Sequence, residues 1–132
     1  MEPPSLPFFI PNVYEGLAKA NGVARLTRSG VALEFELKDG FFGMLTTGVR
    51  EVEIPIDDLT GLELRIGWFK TRLLIRTRRM VTVNKVPGSR GGAIELGVAR
   101  QDRMLAQTLV SILRLQLSER DLEKLGRGAV GQ

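Results

Sequence analysis

Residues 23–38, VARLTRSGVALEFELK, decide the fold class. In its second half Val31, Leu33, Phe35 and Leu37 alternate with Ala32, Glu34, Glu36 and Lys38. A period of two with apolar residues on one side marks a strand buried on one face and wet on the other. Residues 23–28 read as its partner, and Ser29-Gly30 between them supplies a tight hairpin turn.

The same alternation continues toward the C-terminus. In residues 51–56, EVEIPI, Val52, Ile54 and Ile56 point inward, and Pro55 marks an edge or a strand end because it cannot donate to a ladder. After Asp57-Asp58, Leu62, Leu64 and Ile66 alternate with Glu63 and Arg65. Gly67 punctuates a hairpin, residues 69–77 return with Leu73 and Ile75 inward, and Arg78-Arg79 lead into a strand over 80–84. A loop over 86–92 precedes a last strand carrying Ile94, Leu96 and Val98. The sum is about seven short antiparallel strands joined mostly by hairpin-length connections.

The period then changes to helical. Leu105, Leu109, Ile112 and Leu113 recur at i, i+4, i+7 and i+8, flanked by Ala106, Val110 and Leu117. Ser118 with Asp121 is expected to open a second short helix carrying Leu122 and Leu125, and the terminal GRGAVGQ to fray. At the other end, residues 1–11 are proline-rich and read as an extended arm. Asn12 and Glu15 suggest a capping box for a short helix, which Asn21-Gly22 would stop in the left-handed region. The expected division is therefore 1–21 arm and short helix, 22–117 barrel with its capping helix, and 118–132 short helix and tail.

Composition bounds the chemistry. The 132 residues suit one domain with a real core, and 43% hydrophobic with 26% charged residues is ordinary for a globular chain. There is no cysteine and no histidine. That removes disulfides, thiolate metal sites, the commonest general acid/base and every Ser-His or Cys-His nucleophile. Neither a catalytic centre, a metal site nor a cofactor is expected. Pro7 and Pro11 interrupt the apolar Phe8-Phe9-Ile10, so the N-terminus reads as neither a signal peptide nor a membrane span, and a cytoplasmic protein is expected. A net charge of +4 favours anionic partners only mildly.

This organisation resembles the pleckstrin-homology (PH-like) superfold, and bacterial PH-like domains in particular. The resemblance lies in the VEIPIDDLTGLEL strand pair and the IELGVARQDRMLAQTLVSIL passage from strand to helix. It implies a mainly β fold, a partly open barrel made of two nearly orthogonal sheets and plugged by the terminal helix. Members that bind phosphoinositides use basic residues around the loop between their first two strands. Here that turn reads as Ser29-Gly30, with Glu34 and Glu36 on the following strand, so inositol-phosphate binding is not carried over. Those members also usually hold a tryptophan in the closing helix, whereas Trp68 sits at a hairpin.

Two candidate sites remain. Lys70, Arg72, Arg76 and Arg78 share the outer face of one strand, with Arg79 beside them, and such a stripe could attract phosphate, an anionic membrane or an acidic peptide. The alternative is a solvated face of cross-strand ion pairs, each contributing roughly 0–1 kcal/mol. Phe41, Phe42, Met44 and Leu45 form an apolar loop that either contacts a partner or folds over an open barrel end. Asp57-Asp58 read as a strand stop rather than a metal or acid/base pair, and residues 88–92 lack the spacing of a phosphate loop. Nucleic acid is disfavoured because the stripe lacks interleaved aromatics. The expected function is a binding or assembly module for a protein partner or a second copy of itself. The alternative is peripheral binding to anionic lipid or a phosphate-bearing ligand through the arginine face.

Overall fold

The computed structural model describes residues 4–13, 18–39 and 48–130. Among the described residues the chain is mainly β: seven antiparallel strands in one open sheet, followed by one C-terminal helix. The strands are β1 (Ser5–Val13), β2 (Ala18–Leu26), β3 (Gly30–Asp39), β4 (Arg50–Pro55), β5 (Leu59–Ile66), β6 (Thr71–Thr77) and β7 (Ala93–Val98), and the helix is α1 (Arg103–Val130). Their order across the sheet is β4-β3-β2-β1-β7-β6-β5. Two meanders, β1–β4 and β5–β7, thus join through β1 and β7, which share the single register pair Phe9↔Gly97. α1 packs against β1, β5 and the 3-10 turn Ile56–Asp58 that links the two outer strands, β4 and β5.

The first strand corrects the expected arm and helix. Leu6, Phe8 and Ile10 are buried while Ser5, Pro7, Phe9 and Pro11 are exposed, a period of two that the prolines disguise. β1 is paired along β2 but meets β7 at one position only, so one of its sides is nearly an edge, where a strand tolerates proline. Gly22, expected to stop a helix, lies instead in the middle of β2, opposite Phe8 on one side and Phe35 on the other. Residues 14–17, between the first two strands, lie outside the described residues, and Ser29-Gly30 turns from the second strand to the third.

Two further expectations change. Residues 80–84 form no strand; a 3-10 turn, Met80–Thr82, stands there, with Met80 and Val81 exposed and Val83 and Val86 buried. Burial at a spacing of three fits a tight helical turn rather than a pleat. At the C-terminus α1 is one continuous helix through Val130, with no break at Ser118. Its buried line is Ala106, Leu109, Val110 and Leu113, while Leu105 is exposed, so the inward face is centred about one residue later than the leucine spacing suggests.

The helix is clamped where it passes the 3-10 turn. Arg120 grips Asp57 with two parallel bonds, Nε to Oδ1 and Nη2 to Oδ2, both 2.7 Å, and Lys124 Nζ lies 3.6 Å from Asp57 Oδ1. The hydrogen bonds from Arg120, outweighing desolvation, hold the Asp57 carboxyl down at about 2, from an ordinary 3.8. A carboxyl depressed on folding contributes stability that is complete above its ordinary value and is lost as pH falls through the folded one. The clamp is therefore expected to release between about pH 4 and pH 2. In an NMR titration Asp57 should have a depressed midpoint that rises toward the ordinary value in Arg120→Gln, with Lys124 still holding it somewhat down; an ordinary midpoint in the unmodified chain would contradict the clamp.

Candidate functional site

The five cations read from the sequence do not all lie on one strand. Arg72 and Arg76 project from the outer face of β6, with half-buried Leu74 between them, but Lys70 precedes the strand and Arg78 and Arg79 follow it. Arg72 Nη1 donates to Glu95 Oε1 on β7 at 2.7 Å. Arg79 is drawn away to Asp58, with its backbone N–H 3.1 Å and its Nε 3.4 Å from Oδ1. Arg65, opposite Arg72 in register, is held by Glu63 at 3.2 Å. Arg76 lies across Gly61, where a β-carbon would meet the Arg76 side chain at 3.2 Å. Among the described residues Lys70, Arg76 and Arg78 have no acidic partner. Two of the five charges are thus spent inside the fold, one on β7 and one on the 3-10 turn.

The apolar loop Phe41, Phe42, Met44 and Leu45 lies outside the described residues. A different apolar feature stands out, at the turn between β5 and β6. Gly67 N donates to Lys70 O at 2.7 Å across the four-residue connection 67–70, which carries Trp68 and Phe69 at its tip. Trp68 is 85% exposed and Phe69 88%, the highest values among the large apolar side chains of the described residues, so neither contributes to the core. Short hairpin loops favour Asn, Asp and Gly, which meet the backbone demands of a turn. Placing the only tryptophan and a phenylalanine there serves neither turn geometry nor burial.

Two cations from a distant segment, Arg100 and Arg103, lie beside this hairpin. Arg103, at the start of α1, donates from Nε to Thr71 Oγ1 at 2.8 Å and from Nη2 to the Gly67 carbonyl at 3.0 Å, which fixes the root of the hairpin to the helix. Arg100 lies in the 3-10 turn before the helix, and with Phe69 it borders hollows on both sides of the tip. One hollow, about 510 Å³, runs over the β1–β7 junction, with Phe9 and Gly97 in its floor and Lys70, Arg72 and Arg100 around it. Its volume falls within the range of small-ligand clefts. Glu95, its one lining carboxylate, is occupied by Arg72. The floor depends on Gly97, since a β-carbon there would lie 2.4 Å from the Phe9 ring.

The paired carboxylates have structural partners. Asp57 holds Arg120, and Asp58, buried at 5% exposure, accepts hydrogen bonds from Thr82 Oγ1 and from Arg79. Burial alone would raise the Asp58 carboxyl, but the bonds from Thr82 and Arg79 together with the Arg79 charge bring it below its ordinary value. Among the described residues no three His, Cys, Asp or Glu side chains are grouped to hold a metal ion. No described helix is long and apolar enough to cross a membrane.

The site has two parts: an aromatic tip that buries nothing, and a collar of Lys70, Arg100 and Arg103. Trp68 is legible in the sequence as a hairpin residue, but Arg100 and Arg103 arrive from more than thirty residues away and leave no local signal. Comparison with family models, curated proteins and solved structures finds no match. The class of protein is accordingly defined by the fold, mainly β, with seven antiparallel strands and one C-terminal helix among the described residues.

Proposed function

We propose that the chain is a non-catalytic, PH-like binding module that docks on anionic lipid headgroups through the β5–β6 hairpin. The PH-like reading is supported by the strand order, two meanders joined at the first and last strands and followed by a helix. The observation that carries the lipid reading is the Trp68-Phe69 loop itself. Tryptophan at a bilayer interface keeps its ring among the upper acyl chains and its N–H in the headgroups. Lys70, Arg100 and Arg103 beside it face the phosphates of an anionic leaflet, each cation near such a surface contributing about 1 kcal/mol. The lack of histidine and cysteine supports a role without catalysis, and the reading requires no cofactor.

Flotation with phosphatidylcholine vesicles, with and without phosphatidylglycerol, tests the proposal. Binding should require the anionic lipid and weaken as salt is added. Burying one such aromatic is worth about 1.5–3 kcal/mol, so Trp68→Ala with Phe69→Ala should lower the bound fraction by tenfold or more. Both side chains are exposed, so the thermal transition should stay in place. Lys70→Glu with Arg100→Glu should weaken binding more than Arg72→Glu with Arg76→Glu, because Arg72 is already neutralised. Flotation unchanged by the aromatic pair, or absent at low salt, would refute the reading.

A further inference from the structure

α1 carries two apolar faces, and the sheet covers one of them. Ala106, Leu109, Val110 and Leu113 are buried against the strands, with Leu117 packed beside them. On the opposite side Met104, Leu115, Leu122 and Leu125 are exposed, at 79, 61, 68 and 70%. With Thr108, Ser111 and Ser118, all exposed, they occupy positions 104, 108, 111, 115, 118, 122 and 125. The steps of four and three are those of a coiled-coil seam, the pattern by which one helix lies along another. After Arg120 the described part of the helix has no buried or half-buried residue, so its last turns lie beyond the sheet.

We infer that this second face pairs with the same face of another copy, forming a parallel two-helix seam with the sheet domains on the outside. The charges flanking the seam suit that partner. Arg114 and Glu119 lie on its two sides, five residues apart, the spacing at which parallel helices exchange ion pairs across the interface. Two-fold symmetry makes each such pair twice. Glu119 has no partner among the described residues, and Arg114 has donors left beyond the one bonded to the Leu62 carbonyl at 3.1 Å. From Met104 to Leu125 the seam runs roughly 30 Å. With serine and threonine at three of its seven positions it lies at the low end of specific interfaces, so the dimer should form at micromolar or higher concentration.

Sedimentation velocity across about 1 µM to about 500 µM tests this, a range that brackets such affinities. The unmodified chain should move from monomer to dimer mass, and Leu122→Glu with Leu125→Glu should remain monomeric with an unchanged thermal transition, because both leucines are exposed. Since the chain lacks cysteine, Ser118→Cys should give an interchain disulfide under mild oxidation, joining two copies at the same seam position. A monomer throughout the range would overturn the inference, as would a dimer indifferent to the glutamates. A dimer abolished by the glutamates in which Ser118→Cys fails to cross-link would overturn the parallel arrangement. None of these outcomes decides whether a single tip binds lipid, which flotation of the Leu122→Glu, Leu125→Glu monomer measures separately.

Discussion

Gly22→Ala should cost about 3 kcal/mol or more, at the upper end of what a single added methyl does to a packed interior. A β-carbon at Gly22 would meet the Glu34 carbonyl oxygen at 2.2 Å, Phe35 Cβ at 2.7 Å and Phe8 Cζ at 2.7 Å. Two of these groups are the backbone and the first side-chain atom of β3, which cannot swing aside, and Phe8 and Phe35 are buried. The strand must shift relative to β3 or the phenylalanine pair must come apart. Against the 5–15 kcal/mol typical of a domain, the loss should appear as a large fall in the denaturation midpoint at unchanged slope. The comparison substitution is Gly48→Ala, where nothing lies within 4 Å of the added carbon; a similar loss there would remove the explanation.

Asp58→Ala is expected to be the most damaging change of a charged side chain, at about 3 kcal/mol. Its carboxylate is buried at 5% exposure and receives Thr82 Oγ1 at Oδ2 and the Arg79 N–H at Oδ1. Its backbone carbonyl accepts the Arg78 N–H at 2.7 Å, so one residue ties the linker between β4 and β5 to the segment after β6. Removing the side chain orphans two donors and leaves a cavity. Asp57→Ala, one residue earlier, should cost far less, because its ion pair with Arg120 is solvent-exposed on both sides. Chemical denaturation of the two variants side by side checks the ranking, and equal losses would contradict it.

The parts of the fold legible in the sequence are those where one physical signal acts alone. The alternation of residues 31–38 gives β3 directly, and its buried set Val31, Leu33, Phe35 and Leu37 is the one the pattern names. β1 is obscured because Pro7 and Pro11 signal a break, and only the near-edge position of the strand makes them harmless. The inward face of α1 is misread because leucines lie on both sides of the helix, and periodicity does not say which side the sheet covers. The short helix expected at Ser118 has the same origin: Leu122 and Leu125 belong to the outer face of a continuous helix.

The candidate site divides the same way. That the region is basic is plain from composition, but the pairing of Arg72 with Glu95 and of Arg79 with Asp58 spans 23 and 21 residues and exists only after folding. Lys70, with no acidic partner among the described residues, stands at the strand end, where it lines one hollow with Arg100 and where Arg103 holds the Gly67 carbonyl. The exposure of Trp68 and Phe69 follows from a connection of four residues, which has no interior to offer them. A dimer seam on α1 would present two such tips together, and two weak contacts to one surface bind far more tightly than either alone when both can reach it.

The single tryptophan makes the lipid-docking proposal directly measurable, since Trp68 lies at the centre of the proposed contact and is 85% exposed in the free chain. Its fluorescence, followed while vesicles are titrated in at low salt, should shift to the blue and lose accessibility to an aqueous quencher when the vesicles contain phosphatidylglycerol. It should stay unchanged with phosphatidylcholine alone and revert as salt is added. If anionic vesicles bind the chain while Trp68 stays red-emitting and fully quenchable, the hairpin is not the docking element.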